Sequence, residues 1–116
     1  MVINMEKKEE IIEKIMKTYT KYVDEDLDIY SGNRYLTVKI ESMIHEAIKG
    51  IISPEDLREI AEKLRDKILE GPGSINPYVM ELLGILEESA SPENLKEALE
   101  LSRRLLKEDK FDKLEV

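Results

Sequence analysis

One local pattern, which occurs three times, constrains the fold of this sequence more than any other feature. Ser or Asn stands directly before a proline, and apolar residues at helical spacing follow: Ser53-Pro54, Asn76-Pro77 and Ser91-Pro92. Proline suits the first position of a helix, and the preceding side chain can accept hydrogen bonds from the free amides of the first turn. The pattern therefore predicts the starts of three helices. These helices cover about 54–70, 77–88 and 92–109.

Two further helices are expected in the first half of the chain. Isoleucines and tyrosines recur on one face over about 5–23, at the period of a helix. An acidic run and then Ser31-Gly32-Asn33 follow, which is typical of a loop. A second apolar stripe covers about 34–49, with Asn33 as the expected cap and Gly50 as the expected left-handed end.

Residues 35–40 admit a second interpretation. Leu36, Val38 and Ile40 alternate with polar residues, which by itself predicts a strand. The apolar stripe continues at helical spacing well beyond Ile40, and a single strand would have no partner elsewhere in the chain. We therefore predict an all-α, single-domain bundle of about five helices over residues 1–116.

Composition limits the class of protein. A chain of 116 residues can bury roughly two-thirds of its unfolded surface without help from a metal or a disulfide, and this one has no cysteine. No apolar run approaches the roughly 18 residues of a membrane span, and the charged start of the chain is unlike a secretory signal. We expect a cytoplasmic protein with no membrane partner. The excess of Glu and Lys and the absence of Gln resemble thermophile proteins.

The net charge argues against nucleic acid as a partner. The chain carries a formal charge of -8, whereas neutralisation of phosphates supplies most of the affinity of non-specific nucleic-acid binders. We therefore expect no nucleic-acid binding.

Asp24, Asp26 and Asp28 form the densest group of possible metal ligands. Their spacing matches the first three ligands of a helix-loop-helix calcium site. The sixth position of such a loop should be Gly and is Ile29, and the twelfth should be a bidentate Glu and is Tyr35. We predict neither a metal nor another cofactor. The alternative is a metal-dependent enzyme or a divalent-cation-binding module that uses this loop.

His45 is the single histidine of the chain and the other candidate for chemistry. A helical zinc motif would need a second histidine at the position that Lys49 occupies. The sequence marks no nucleophile as a partner for His45, so it favours a protein without enzymatic activity.

The predicted helix over 77–88 is apolar around most of its circumference, which indicates burial on nearly every side. Gly84 inside it predicts a close helix–helix contact, because glycine weakens a helix by about 1 kcal/mol relative to alanine. We expect protein–protein contact, as an adaptor or oligomerisation module. A homodimer, with this helix or the one over about 34–49 near the interface, is favoured over a monomer in which this helix is the central strut among the other four. The candidate interface residues are Val79, Met80, Leu83 and Gly84.

Overall fold

The described parts of the chain, residues 5–71 and 75–111 of a computed structural model, contain helices and their connections and no strand. Residues 35–40 lie within a helix. The predicted all-α bundle is confirmed. Its elements are α1 (Met5–Thr20), a π-helical segment that continues α1 (Lys21–Glu25), α2 (Ile29–Ile48), α3 (Pro54–Glu70), α4 (Pro77–Glu88) and α5 (Pro92–Glu108).

The three predicted proline-initiated helices begin as expected. In each, the proline lies at the first helical position, and the side chain before it accepts a hydrogen bond from an amide of the first turn. These bonds run from Asp56 N to Ser53 Oγ (3.0 Å), from Tyr78 N to Asn76 Oδ1 (2.8 Å) and from Asn94 N to Ser91 Oγ (3.2 Å).

The connection between the first two helices is shorter than predicted. The π-helical segment carries the helical backbone to Glu25, and α2 begins at Ile29 rather than near residue 34. The cap of α2 is Asp28, whose carboxylate accepts a hydrogen bond from Ser31 N at 3.0 Å. The prediction that Asn33 caps this helix was wrong, since Asn33 is buried inside α2.

Two glycines lie inside described helices: Gly84 has open space around its Cα, and Gly32 is closely packed. A Cβ added to Gly84 would meet no atom within 4 Å, so the close contact predicted there is wrong. A Cβ added to Gly32 would lie 2.5 Å from Val23 Cγ1 and 3.3 Å from Tyr22 Cβ. The close approach therefore occurs where α2 passes the π-helical segment, and it explains why residue 32 is a glycine.

The end of α2 has the predicted glycine. Gly50 has a φ of +80°, a conformation that favours glycine. Its N–H donates to Ala47 O at 3.2 Å, and Ile51 N donates to Glu46 O at 2.8 Å. This pair of bonds is a Schellman motif, which satisfies the last carbonyls of the helix.

α4 packs chiefly against α3 and α5, and α1 packs against α2 and α3. Among the described residues, no helix has both the length and the apolar character required to cross a bilayer.

Candidate functional site

Two of the four candidate interface residues on α4 are buried within the chain. Val79 and Leu83 have no exposed surface within the chain itself, and Met80 and Gly84 are half-buried. Because α3 and α5 already cover this helix, Val79 and Leu83 cannot touch a partner while the fold is intact. α4 packs chiefly against α3 and α5, and less against α2.

The acidic segment has a structural role at one of its three aspartates. Asp28 caps α2, and its hydrogen bonds with Ser31 hold the pKa of its carboxyl below the usual value. Asp24 lies in the π-helical segment and Asp26 at its end, both exposed. Within the described ranges, no three His, Cys, Asp or Glu side chains come together as a metal site would require. Among the described residues, the three aspartates therefore do not converge on one point.

His45 lies half-buried in the last turn of α2. Its ring makes no hydrogen bond with the described part of the chain, so neither a nucleophile nor an orienting carboxylate is in place beside it.

An open groove of about 740 Å³ lies between the first half of α2, the π-helical segment and the end of α5. We call it the tyrosine groove, because three of the chain's five tyrosines line it. Its lining residues are Tyr22, Tyr30, Ser31, Arg34, Tyr35, Val38, Leu106, Lys107 and Asp109.

The walls of the tyrosine groove are held by contacts between side chains. The rings of Tyr22 and Tyr35 lie 6.1 Å apart, and the ring of Tyr30 meets buried Phe111 edge-on at 6.1 Å. The Tyr30 hydroxyl donates to Asp109 Oδ1 at 2.5 Å, which raises the pKa of Tyr30. A rigid aromatic wall of this kind presents a large contact area with little entropy to lose.

The rim of the tyrosine groove is positively charged. Arg34 and Lys107 face one carboxylate, Asp109, whose Oδ1 lies 3.9 Å from Arg34 Nε. No carboxylate of residues 5–71 or 75–111 lies within 4.0 Å of Lys107 Nζ. This rim is unusual on a chain with a net charge of -8.

Leu27 projects into solvent next to the tyrosine groove. It is 80% exposed and has a φ of +54°, a rare conformation for a branched side chain that costs on the order of 1–3 kcal/mol. The following amide, Asp28 N, donates to Tyr22 O at 2.7 Å, which ties this turn to the groove wall. Leu27 was not identified as a candidate from the sequence, because only its backbone conformation and its exposure distinguish it from other leucines.

A second concavity lies on the other side of Tyr35, between α1, α2 and the start of α3. This α1–α2 cleft has a volume of about 280 Å³ and is more enclosed than the groove. It has an apolar floor, and Lys14, Lys39, Ser42 and Glu46 contribute the polar lining.

The sequence analysis also missed a buried cation at the α1–α3 contact. The Lys8 side chain is only 9% exposed, and its Nζ lies 2.8 Å from Asp56 Oδ1 and 2.6 Å from Glu59 Oε2. Hydrogen bonds to these carboxylates raise the pKa of Lys8. Because all three charges satisfy one another, this cluster fixes α1 on α3 and offers no free ligand group.

The tyrosine groove was detectable in part from the sequence. Four of the five tyrosines fall within residues 19–35, and tyrosine is enriched at protein interfaces. Three of them, Tyr22, Tyr30 and Tyr35, converge in the groove because α2 begins at Ile29. This early start of the helix was not predicted from the sequence. Comparisons with protein-family models, with curated proteins and with solved structures gave no match.

Proposed function

We propose that this protein acts by protein–protein contact and that its first partner is a second copy of itself. In the proposed homodimer, Leu27 of each copy enters the tyrosine groove of the other. The observation that carries the proposal is Leu27 itself, an 80% exposed apolar side chain on a strained backbone beside an aromatic groove. Strained conformations of this kind cluster at functional sites.

The apolar parts of the two surfaces are complementary. Val38 is 41% exposed in the tyrosine groove, and Tyr22, Tyr35 and Leu106 are half-buried there. Burial of a leucine side chain contributes about 1.5–3 kcal/mol. A two-fold axis would use this contact twice, because each copy supplies one Leu27 and one groove.

The charges next to these surfaces also complement each other. Asp24, Glu25 and Asp26 precede Leu27 and are exposed, whereas Arg34 and Lys107 line the rim of the tyrosine groove. When Leu27 enters the groove of another copy, the acidic turn meets the basic rim. This pairing supports a second copy as the partner, and it counteracts the repulsion between two chains of charge -8.

Light scattering after size exclusion, at tens of micromolar protein, tests the homodimer. We expect a mass about twice the 13.5 kDa of one chain. Leu27→Glu should return the mass to that of a monomer, because it places a carboxylate against the aromatic wall. The matched control is Leu69→Glu on α3, since Leu69 is 57% exposed and lies outside the groove. This control should remain dimeric.

Two results would contradict the proposal. A monomeric mass of the unchanged protein across the concentration range would exclude self-association as the function. A dimer that survives Leu27→Glu, or that Leu69→Glu dissociates equally, would place the contact elsewhere. Circular dichroism should show the same helicity for both variants, because both leucines are exposed.

A further inference from the structure

The α1–α2 cleft has the shape and the lining of a small-ligand site. Its volume of about 280 Å³ lies close to the lower end of the range of ligand pockets, roughly 300–1,000 Å³. Apolar side chains from α1, α2, the α2–α3 connection and α3 form the floor, and four of the five are buried. These residues are Ile11, Ile15, Met43, Ile52 and Ile60.

Two lysines line the cleft from separate helices. Lys14 belongs to α1, and Lys39 belongs to α2, with its Nζ 5.8 Å from the centre of the Tyr35 ring. Within residues 5–71 and 75–111, no carboxylate lies within 4.0 Å of either Nζ. Two ammonium groups that have no ion pair among the described residues therefore lie beside one apolar cleft, and this arrangement favours an anionic ligand.

The remaining polar groups limit the charge of that ligand. Among the described residues that line the cleft, Glu46 is the single carboxylate, so their formal charges sum to about +1. Ser42 is exposed and adds a hydroxyl that can donate to an oxyanion. One excess positive charge suits a monoanion better than a phosphate ester, and the apolar floor suits an aliphatic or aromatic body.

We propose that the α1–α2 cleft binds an amphiphilic monocarboxylate, with the apolar body on the isoleucine floor and the carboxylate between Lys14 and Lys39. This site is distinct from the proposed homodimer contact, because Leu27, Arg34 and Lys107 do not line it, although Tyr35 lines both the cleft and the tyrosine groove.

Titration with sodium octanoate, followed by amide chemical shifts in ¹⁵N-labelled protein, tests the site. We expect saturable shifts that centre on the residues around Lys14, Lys39 and Ile52. Acetate at the same concentration should cause no saturable shift, because it has the charge but not the apolar body. Octan-1-ol should bind more weakly than octanoate, because it has the apolar body but not the charge.

Substitutions distinguish binding of octanoate in the cleft from its general attraction to surface lysines. The double variant Lys14→Gln/Lys39→Gln should lose about tenfold in octanoate affinity and keep its affinity for octan-1-ol. The matched control is Lys17→Gln/Lys96→Gln, which removes two exposed lysines outside the cleft. This control should leave octanoate affinity unchanged.

Three outcomes would overturn the proposal. Octanoate could cause no saturable shift, acetate could match octanoate, or the two double variants could lose the same affinity. The first result excludes the ligand class, and the other two reduce the effect to nonspecific attraction of anions. Light scattering without octanoate reports the oligomeric state separately, so failure of this site and failure of the homodimer are distinguishable.

Discussion

Asn33 is a single residue inside α2 that organises two other helices. Its Oδ1 accepts a hydrogen bond from Asn76 N at 2.8 Å, and its Nδ2 donates to Ile29 O at 2.9 Å. Asn76 in turn caps α4 and donates from Nδ2 to Lys110 O at 3.1 Å. The predicted capping role of Asn33 is therefore wrong for α2, but its amide fixes the residue that caps α4. Buried amides that are satisfied in this way hold elements in one register.

The two helical glycines should respond in opposite ways to a methyl group. Gly84→Ala should raise the free energy of unfolding by roughly 0.5–1 kcal/mol, because the site is open and alanine favours the helix. Gly32→Ala should lower it by about 1–3 kcal/mol, because the new Cβ overlaps Val23 Cγ1. Urea denaturation measures both changes.

A second substitution checks the cause of the loss at Gly32. Gly32→Ala combined with Val23→Ala should lose less stability than the sum of the two single variants, because the smaller side chain removes the overlap. If Gly32→Ala were as stabilising as Gly84→Ala, the close approach of α2 to the π-helical segment would be wrong.

Tyr19 is a buried residue whose hydroxyl makes no hydrogen bond within the described ranges. Burial, with a smaller contribution from the Asp24 carboxylate, raises the pKa of Tyr19 to about 12. In the unfolded chain the group titrates near its ordinary value of 10.0. Between these values the unfolded chain loses a proton that the folded chain keeps. Stability that is fully present below pH 10 is therefore lost as the pH rises towards 12.

Tyr19→Phe should remove this part of the alkaline destabilisation. The free energy of unfolding, measured in urea between about pH 9 and 11, should fall less steeply for the variant than for the unchanged protein. At pH 7 the variant should be equally or more stable, because the lost hydroxyl has no partner among the described residues. Tyr30→Phe is the control, since it removes a hydrogen bond to Asp109 and should reduce stability at pH 7. A large loss at pH 7 in Tyr19→Phe would indicate a bonded hydroxyl.

Among the elements, α2 determines where both concave sites lie. It packs against α1, the π-helical segment, α3, α4 and α5. Its residues line the tyrosine groove and the α1–α2 cleft, with Tyr35 between the two. Because α2 starts at Ile29, Tyr30 and Arg34 lie on the same helix as Val38 and Lys39. If α2 started near residue 34, as predicted, Tyr30 and Ser31 would line the tyrosine groove from a loop rather than from a helix.

The cap at the start of α2 should contribute to the stability of the protein. Asp28→Ala should lower the melting temperature at pH 7 by a few degrees, because it removes the side chain that caps Ser31 N. The lowered pKa of Asp28 means that its contribution is present above the unfolded value and is lost as the pH falls. The difference in melting temperature between Asp28→Ala and the unchanged protein should therefore shrink as the pH falls below about 4.

Asp26→Ala is the matched control for this cap. Asp26 is exposed, and its side chain makes no hydrogen bond or ion pair with the described chain. Its replacement should leave the melting temperature nearly unchanged at every pH. Equal losses in the two variants would mean that the acidic segment as a whole, rather than the cap, supports α2.

For the whole molecule, the distribution of charge matters more than its sum. A net charge of -8 opposes association of two copies at long range. The acidic turn around Leu27 and the basic rim of the tyrosine groove lie next to each other, so a two-fold contact can pair them locally. In the α1–α2 cleft, likewise, the local charge differs from the net charge, because Lys14 and Lys39 make one region of an acidic protein attractive to anions.

The sequence by itself determined the features that depend on neighbouring residues. The proline-initiated starts of α3, α4 and α5 and the glycine end of α2 follow from hydrogen bonds within a few residues, and all were predicted. The helical period of the apolar residues determined the all-α class, because one face of each helix must be buried.

Tertiary structure alone decided which helix faces are covered and where the chain comes closest to itself. Gly32, rather than Gly84, allows the close approach, since that depends on Val23 in a separate segment. Val79 and Leu83 are buried within the chain, so these two of the four candidate interface residues are not available to a partner. Leu27 became a candidate only through its backbone conformation and its exposure. Both candidate sites combine residues that are far apart in sequence, and such distances are set by packing.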